Sequence, residues 1–319
     1  GAAARLVAPR GCLRCVGFGI MTVAESVTRV AAIDCGTNSV RLLIADVDIA
    51  SGTLVDIERI METVRLGEGV DRTGQFSPAA LERTFAACDR YRQLIGEHDA
   101  RHVRFVATSA SRDVSNRAEF VSGVRSRVGV EPEVISGEEE AGLSFAGAVR
   151  SLGSELGDAA ALVVDIGGGS TEFVSGDVAD GVAAARSVDI GCVRMTERHL
   201  VGDPPTPAQI ASATHDIDAA ISRADRDVRL ADASTLVGLA GSVTTVAALA
   251  LGLLEYDSAA IHGSRIPAEA VADIARRLLE MPRAERAALP VMHPGRVDVI
   301  GGGALILDRI MTAGGFSSV

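Results

Sequence analysis

The chain contains no lysine and no tryptophan; all 31 of its basic residues are arginine, and only 3% of its residues are aromatic. So few rings leave no stacking platform for single-stranded nucleic acid. A formal net charge of −11 removes the broad positive field that captures DNA, RNA or acidic membranes. Long apolar runs are missing too, since none approaches the roughly 18 residues that cross a bilayer. No nucleic-acid or membrane partner is therefore expected. Five cysteines, odd in number and scattered, do not make a disulfide framework, which points to a cytoplasmic protein. Cys12-x-x-Cys15 has no second Cys pair or His pair to complete a zinc set. Any polyanion must be met by local groups rather than by overall charge.

What is present is an ordinary globular composition: 319 residues, 47% hydrophobic and 23% charged, enough for about two domains. The lysine-free, alanine-rich usage reads as coding bias before it reads as phosphate recognition. Residues 1–20 carry three arginines and no acid, and Met21-Thr-Val-Ala-Glu reads as a more natural start. Residues 1–27 are accordingly expected to be a leader outside the fold.

Two stretches repeat one pattern. Ile33-Asp-Cys-Gly-Thr-Asn-Ser39-Val40-Arg41 and Val164-Asp-Ile-Gly-Gly-Gly-Ser170-Thr171-Glu172 align Asp34 with Asp165, Gly36 with Gly167 and Ser39 with Ser170, all at one separation of 131 residues. Each is an apolar strand, an Asp, a Gly-bearing turn ending in Ser, and a second apolar run. Successive N–H groups in such a turn form an anion-binding nest, and the Asp before it can hold a hydrated Mg²⁺. A single Asp-x-Gly turn is weak evidence, because Gly and Asp favour turns for conformational reasons alone. Two at matching positions imply two lobes gripping one phosphorylated ligand.

Strand patterns alternate with helix patterns along the whole chain, which predicts an α/β fold. Ser77-Pro78 supplies a helix start. His102–Ala107 reads as a strand running into the polar turn Thr108–Asp113, at the end of a strand where ligands of α/β folds usually sit. Ser136 and Glu139 have capping-box spacing at a helix start that carries Glu138, Glu139 and Glu140. Leu236–Val243 reads as strand, turn and helix, and Val297–Ala304 as a last strand and turn before a terminal helix.

Four motifs, Ala32-Ile-Asp-Cys-Gly-Thr-Asn-Ser39, Val106-Ala-Thr-Ser-Ala-Ser-Arg112, Ile135-Ser-Gly-Glu-Glu-Glu-Ala141 and Val164-Asp-Ile-Gly-Gly-Gly-Ser-Thr-Glu172, resemble in order and spacing the exopolyphosphatase and guanosine pentaphosphate phosphohydrolase family. That family belongs to the actin, sugar-kinase and heat-shock-chaperone superfamily. The resemblance implies a duplicated ribonuclease-H-like fold with the active site between two lobes. Residues 28–143 would form lobe I, which the terminal helix at 304–319 could complete, and 144–303 would form lobe II. Gly36, Thr37, Asn38 and Ser39 would contact phosphate from one side, and Gly167, Gly168, Gly169 and Ser170 from the other. Arg112 would clamp a phosphate, and Asp34, Asp165 and Glu172 would hold Mg²⁺ or Mn²⁺ largely through waters. Glu140 matches the proposed general base.

The implied reaction is hydrolysis of the terminal phosphoanhydride of inorganic polyphosphate, with pppGpp, the alarmone of the stringent response, as the alternative substrate. Longer relatives carry an additional helical region that this sequence does not reach, so a preference for short polyphosphate is expected, and a homodimer is possible. Arg65, Arg194 and Arg265 are candidates to guide the polyanion, although surface salt bridges explain them equally well. Two rival readings are a kinase of the same superfold, with Gly238–Gly241 cradling a nucleoside, and a non-catalytic binder of polyphosphate or alarmone. The presence of Glu140 beside the three other acids favours hydrolysis.

Overall fold

Strand alternation builds the first lobe. In the first strand, β1 (Val27–Cys35), Ala31, Ile33 and Cys35 point into a core, and in the second, β2 (Ser39–Asp48), Val40, Leu42 and Ile44 do the same. With a period of two, the intervening Asp34 and Arg41 must emerge on the opposite face. They lie directly across from each other in the antiparallel register. The computed structural model describes residues 27–156 and 159–319, so the expected leader, with Cys12 and Cys15, lies outside the described residues apart from Val27.

The first sheet is completed by β3 (Leu54–Thr63), β4 (His102–Ala107) and β5 (Glu133–Val134) in the order β3-β2-β1-β4-β5, with β4 and β5 parallel to β1. An antiparallel three-strand meander extended by parallel strands is the ribonuclease-H-like arrangement that the motifs imply. Four helices lie between its strands in the chain: α1 (Val70–Thr73) and α2 (Pro78–Glu97) before β4, and α3 (Ser109–Arg112) and α4 (Arg117–Val128) before β5. Ser77 caps α2 by accepting from the Ala80 amide, with Pro78 at the first helical position. Tyr91 of α2 is fully buried and donates its hydroxyl to the Val40 carbonyl at 2.9 Å, satisfying its one polar atom.

The second sheet repeats the design with β6 (Ala161–Ile166), β7 (Thr171–Asp177), β8 (Gly181–Val188) and β9 (Thr235–Leu239), ordered β8-β7-β6-β9. Both of its faces are covered. Leu162, Val164, Ile166 and Phe173 face a large core, while Ala161, Val163 and Val174 face the helix α5 (Gly137–Leu156). Helix α5 docks through Ala141, Phe145 and Ala148, a stripe at i, i+4 and i+7. Its first turn, with Glu140, therefore rides on the second sheet, although the sequence divides the lobes only at residue 143. The crossover between the two sheets comes earlier, between β5 and the start of α5.

The large core is closed by α6 (Cys192–His199), α7 (Pro207–Val228), α8 (Ala240–Ala250), α9 (Ser258–Ile261) and α10 (Ala268–Glu280), and, after the short α11 (Arg283–Ala287), by α12 (Ile300–Gly314). Two sequence expectations are corrected here. Helix α12 packs on α6, α7, α8 and α10 of the second lobe and so does not complete the first. The run Gly301–Gly303 lies inside that helix and is not a strand-ending turn. Close approach explains it: a Cβ on Gly303 would lie 2.2 Å from Ser242 Oγ, and one on Gly302 would lie 2.9 Å from Thr196 Oγ1.

Because Phe145 is the largest side chain by which α5 grips the second sheet, Phe145→Ala should cost about 3–5 kcal/mol, the range for removing a buried aromatic. Urea unfolding would measure it. A loss under about 1 kcal/mol would mean that α5 is held by something other than this stripe.

Candidate active site

The two Gly turns are built alike. In each, the glycine after the strand donates to the carbonyl of the serine three residues on: Gly36 N to Ser39 O and Gly167 N to Ser170 O, both at 3.0 Å. Five further carbonyls of the two turns are bound from behind the loops. In the first, Thr37 O accepts from Gly67 N at 2.8 Å, and Asn38 O accepts from the amides of Val64 and Arg65 at 3.1 and 2.9 Å. In the second, Gly167 O accepts from Cys192 N at 2.9 Å, Gly168 O from Val193 and Arg194 N at 2.9 and 3.1 Å, and Gly169 O from Arg194 Nε at 2.7 Å. The amides of Thr37, Asn38, Gly168 and Gly169 meet no protein acceptor among the described residues. A row of such N–H groups is an anion nest.

The two loops face each other across the lobes. A Cβ on Gly168 would lie 2.8 Å from Thr37 Cβ, and one on Gly169 would lie 2.6 Å from Ser109 Oγ, so only glycine lets the backbones approach this closely. Gly67 and Gly191, which sequence reading passed over, have the same role at the backs of the loops. Their Cβ atoms would meet Thr37 Cγ2 at 2.2 Å and the Gly168 carbonyl at 2.4 Å. Within the first loop, Thr37 Oγ1 and Asn38 Oδ1 are buried without a protein partner. A small cavity of about 90 Å³ between the loops opens beside a larger one of about 910 Å³, and Asp34, Arg41, Thr108, Glu140 and Asp165 line both.

Glu140 and Arg112 meet at the rim of this gap. Arg112, at the end of α3, donates Nη1 to Glu140 Oε2 at 2.9 Å and to the Ile135 carbonyl at 3.1 Å. Arg117 anchors that turn from behind by donating to the carbonyls of Ser111 and Arg112 at 2.7 and 2.6 Å. Burial raises the Glu140 carboxyl above its ordinary range; the Arg112 hydrogen bond and charge oppose the rise, and Asp165 and Asp34 add to it. Glu139, by contrast, points to Arg104 at 2.9 Å. The Ser136 hydroxyl accepts from the Glu139 amide as a cap, but the Glu139 side chain does not close the expected capping box.

The other acids differ in exposure. Asp34 is raised by the enclosing walls of the cleft, with Arg41 at 3.4 Å opposing and Asp165 adding. Asp165 accepts a 2.7 Å hydrogen bond from Ser144 of α5. Glu172 is 1% exposed, and its Oε1 accepts from Ser170 Oγ at 2.7 Å and Ser187 Oγ at 2.8 Å. Burial first, then Glu140 and Asp165, push its carboxyl up to about 8. Asp34, Asp165 and Glu172 were expected to hold Mg²⁺ or Mn²⁺ largely through waters; among the described residues no three acids, histidines or cysteines stand close enough to hold a metal by side chains alone. Glu172 lies behind Ser170 and supports the loop.

Of the three arginines expected to guide a polyanion, Arg65 is paired with Asp298 at 2.7 Å, and Arg194 with Asp71 and Asp113 at 2.8 and 2.7 Å. Arg265 lines the larger cavity. Sequence reading missed Arg296, which lines the small cavity, hydrogen-bonds Thr245 Oγ1 at 3.1 Å and makes no ion pair among the described residues. Burial, with Arg41 nearby, holds its guanidinium below the ordinary arginine range. A Cβ on Gly241 would stand 2.1 Å from Arg296 Nη2, so that glycine makes room for a cation.

Two ribonuclease-H-like sheets, each ending in an amide-lined turn, with a carboxylate–guanidinium pair between them, define a two-lobed α/β protein with a phosphate-binding gap between its sheets. The sequence profile described as the Ppx/GppA phosphatase family matches residues 43–314. The chain belongs to that family. It is 51% identical over 292 residues to exopolyphosphatase 2 of Mycobacterium tuberculosis, covering 89% of this chain and 90% of that one. Among solved structures, an exopolyphosphatase-like protein superposes with a TM-score of 0.87 at 44% identity, covering 91% of this chain and 89% of the other. The Ppx/GppA protein of Aquifex aeolicus superposes with a TM-score of 0.73 at 30% identity, covering 92% of each.

An acid raised by folding binds more protons folded than unfolded, so its contribution to stability is lost as pH rises from its unfolded value toward its folded one. For Glu172 that window runs from 4.5 to about 8. In metal-free buffer, wild type should lose stability relative to Glu172→Gln between pH 5 and 8, by up to roughly 1.4 kcal/mol per pH unit. Parallel stability curves for the two proteins would show that Glu172 is not held protonated.

Proposed function

We propose that this chain is an exopolyphosphatase that hydrolyses the terminal phosphoanhydride of inorganic polyphosphate and releases orthophosphate. The observation that carries the reading is the meeting of two amide nests, one per lobe, beside the Glu140–Arg112 pair. The 51% identity to exopolyphosphatase 2 supports it. A terminal phosphoryl group in the gap takes hydrogen bonds from the free amides of Thr37, Asn38, Gly168 and Gly169 and from the hydroxyls of Ser39 and Thr37. Arg112 uses Nη1 for Glu140, leaving the remaining N–H groups of its fork for a phosphate oxygen.

Phosphoanhydride transfer passes through a loose transition state, so positioning and charge stabilisation do most of the work. Glu140 orients a water and takes its proton as the water oxygen bonds to phosphorus. The bond from phosphorus to the bridging oxygen breaks, and that oxygen leaves on the shortened chain with the electron pair. Burial gives Glu140 the raised proton affinity of a base, and the Arg112 hydrogen bond and charge oppose that rise. Asp34 and Asp165 are hard oxygen donors on the cleft wall, and the unpartnered Asn38 Oδ1 can accept from coordinated water. This set fits a hydrated Mg²⁺ or Mn²⁺, which would supply charge neutralisation on the phosphate oxygens.

A second reading, hydrolysis of the 5′-terminal phosphate of pppGpp, draws on the larger cavity. At about 910 Å³, with Leu143, Ile266 and Phe316 on its walls, it has room and apolar surface for more than a phosphate chain. Phosphate release from polyphosphates of several lengths and from pppGpp, measured side by side, separates the two.

Glu140→Gln should leave the fold intact and lower turnover about a hundredfold or more, while Glu139→Gln stays near wild type. The acid limb of turnover should lie above the usual carboxylate range, since Glu140 must be ionised to act. Turnover retained by Glu140→Gln, or lost in Glu139→Gln, would move the base elsewhere. Separately, EDTA should abolish hydrolysis and Mg²⁺ restore it; full activity after exhaustive chelation would remove the cation from Asp34 and Asp165.

A further inference from the structure

One side chain outside the phosphate loops touches three segments at once. Arg194, in the first turn of α6, is 12% exposed and uses every edge of its fork. Nε donates to the Gly169 carbonyl at 2.7 Å, Nη1 to Asp71 at 2.8 Å and Nη2 to Asp113 at 2.7 Å. Gly169 belongs to the second phosphate loop. Asp71 lies in α1 of the first lobe, and Asp113 directly follows Arg112. The Arg194 amide also donates to Gly168 O at 3.1 Å, so its backbone and side chain grip the same loop.

Neighbouring residues tie the lobes without touching that loop. Arg198 bonds Asp71 through Nη2 at 2.8 Å and Asp216 through Nη1 at 2.7 Å. Both carboxylate oxygens of Glu197 accept from the Gly69 amide at 3.1 Å. These contacts hold the two lobes together at α1 and α6. Among the described residues only Arg194 continues from there to the reacting gap, joining the second nest to the turn that carries Arg112.

We propose that Arg194 is a positioning residue for the hydrolysis inferred above, fixing the separation between the Gly168–Gly169 amides and the Arg112 turn across the interlobe cleft. Gly168 and Gly169 already stand against Thr37 and Ser109, so a small shift of the loop changes how both sets of amides meet one phosphoryl group. Misplacement by about 1 Å costs on the order of a hundredfold in rate. The planar guanidinium is needed because its three contacts diverge from one rigid fork, which a single ammonium nitrogen cannot reproduce.

The test compares kcat and KM for polyphosphate hydrolysis in Arg194→Met, Arg194→Lys, Asp113→Asn, Arg194→Met/Asp113→Asn and Arg198→Met, with urea midpoints for each. Arg194→Met should lower kcat about tenfold to a hundredfold with KM changed only a few-fold, and Arg194→Lys should not restore it. Asp113→Asn should cost less, and the double variant should be no worse than Arg194→Met alone. Arg198→Met should lower the urea midpoint while keeping kcat within a few-fold of wild type. Equal kcat losses in Arg194→Met and Arg198→Met, additive losses with Asp113→Asn, or full rescue by lysine would overturn the proposal. Should Arg194→Met not fold, Asp113→Asn and Arg194→Lys decide alone, with unchanged kcat in both overturning it. Absence of any hydrolysis by wild type would defeat the exopolyphosphatase reading instead. Hydrogen exchange would then test the strut alone: unchanged protection across residues 164–172 and 108–113 in a folded Arg194→Met would overturn it.

Discussion

Three carboxylates, Asp34, Glu140 and Asp165, line one gap with Glu172 buried behind it, and most of the surrounding structure answers that crowding. The charge of Asp165 raises the proton affinities of Asp34, Glu140 and Glu172, and a protein with a net charge of −11 has no general positive field to offset this crowding. Local groups take on the task. Arg41 stands beside Asp34, Arg112 beside Glu140, Ser144 donates to Asp165, and two serine hydroxyls converge on Glu172. The polyanionic substrate proposed above would add charge to this gap, and the surfaces left without a protein partner there are backbone amides. Amide dipoles attract anions without themselves needing a counter-charge.

The amides face the gap because the carbonyls of the loops are held elsewhere. In the first lobe the segment Val64–Gly67 takes them, and in the second the start of α6 does, with Arg194 adding a side-chain donor. A peptide unit pinned by its oxygen presents its N–H in the opposite direction, so loop polarity is decided from behind. The glycines at 67 and 191 permit the supporting segments to come close enough. Site chemistry in this protein therefore depends on contacts two layers away from any substrate.

The duplicated hairpins are alike in backbone and unlike in charge. Asp34 pairs across its hairpin with Arg41, whereas Asp165 pairs with Glu172 at the same 131-residue offset. One lobe thus offers an acid beside an arginine on the cleft wall, and the other an acid backed by a buried one whose proton affinity burial raises. That asymmetry distinguishes the two sides of the gap.

Much of this was legible in the sequence, because it is written in local pattern. Period-two alternation fixes Asp34 and Arg41 on the face opposite Ile33 and Leu42, Gly-rich turns after apolar strands mark the nests, and the repeat at constant offset implies two lobes. Residues defined by long-range packing were not legible. Arg296 meets the small cavity only because Gly241 of a distant helix leaves it room, Glu139 is claimed by Arg104 on β4, and α12 settles on the second lobe through glycines that look like a turn. Glu172 illustrates the division. The sequence by itself determined that an acid follows the second nest, since the repeat places it there. Only the tertiary structure decided that this acid lies under Ser170, out of water, where the cost of burying charge favours its protonated form.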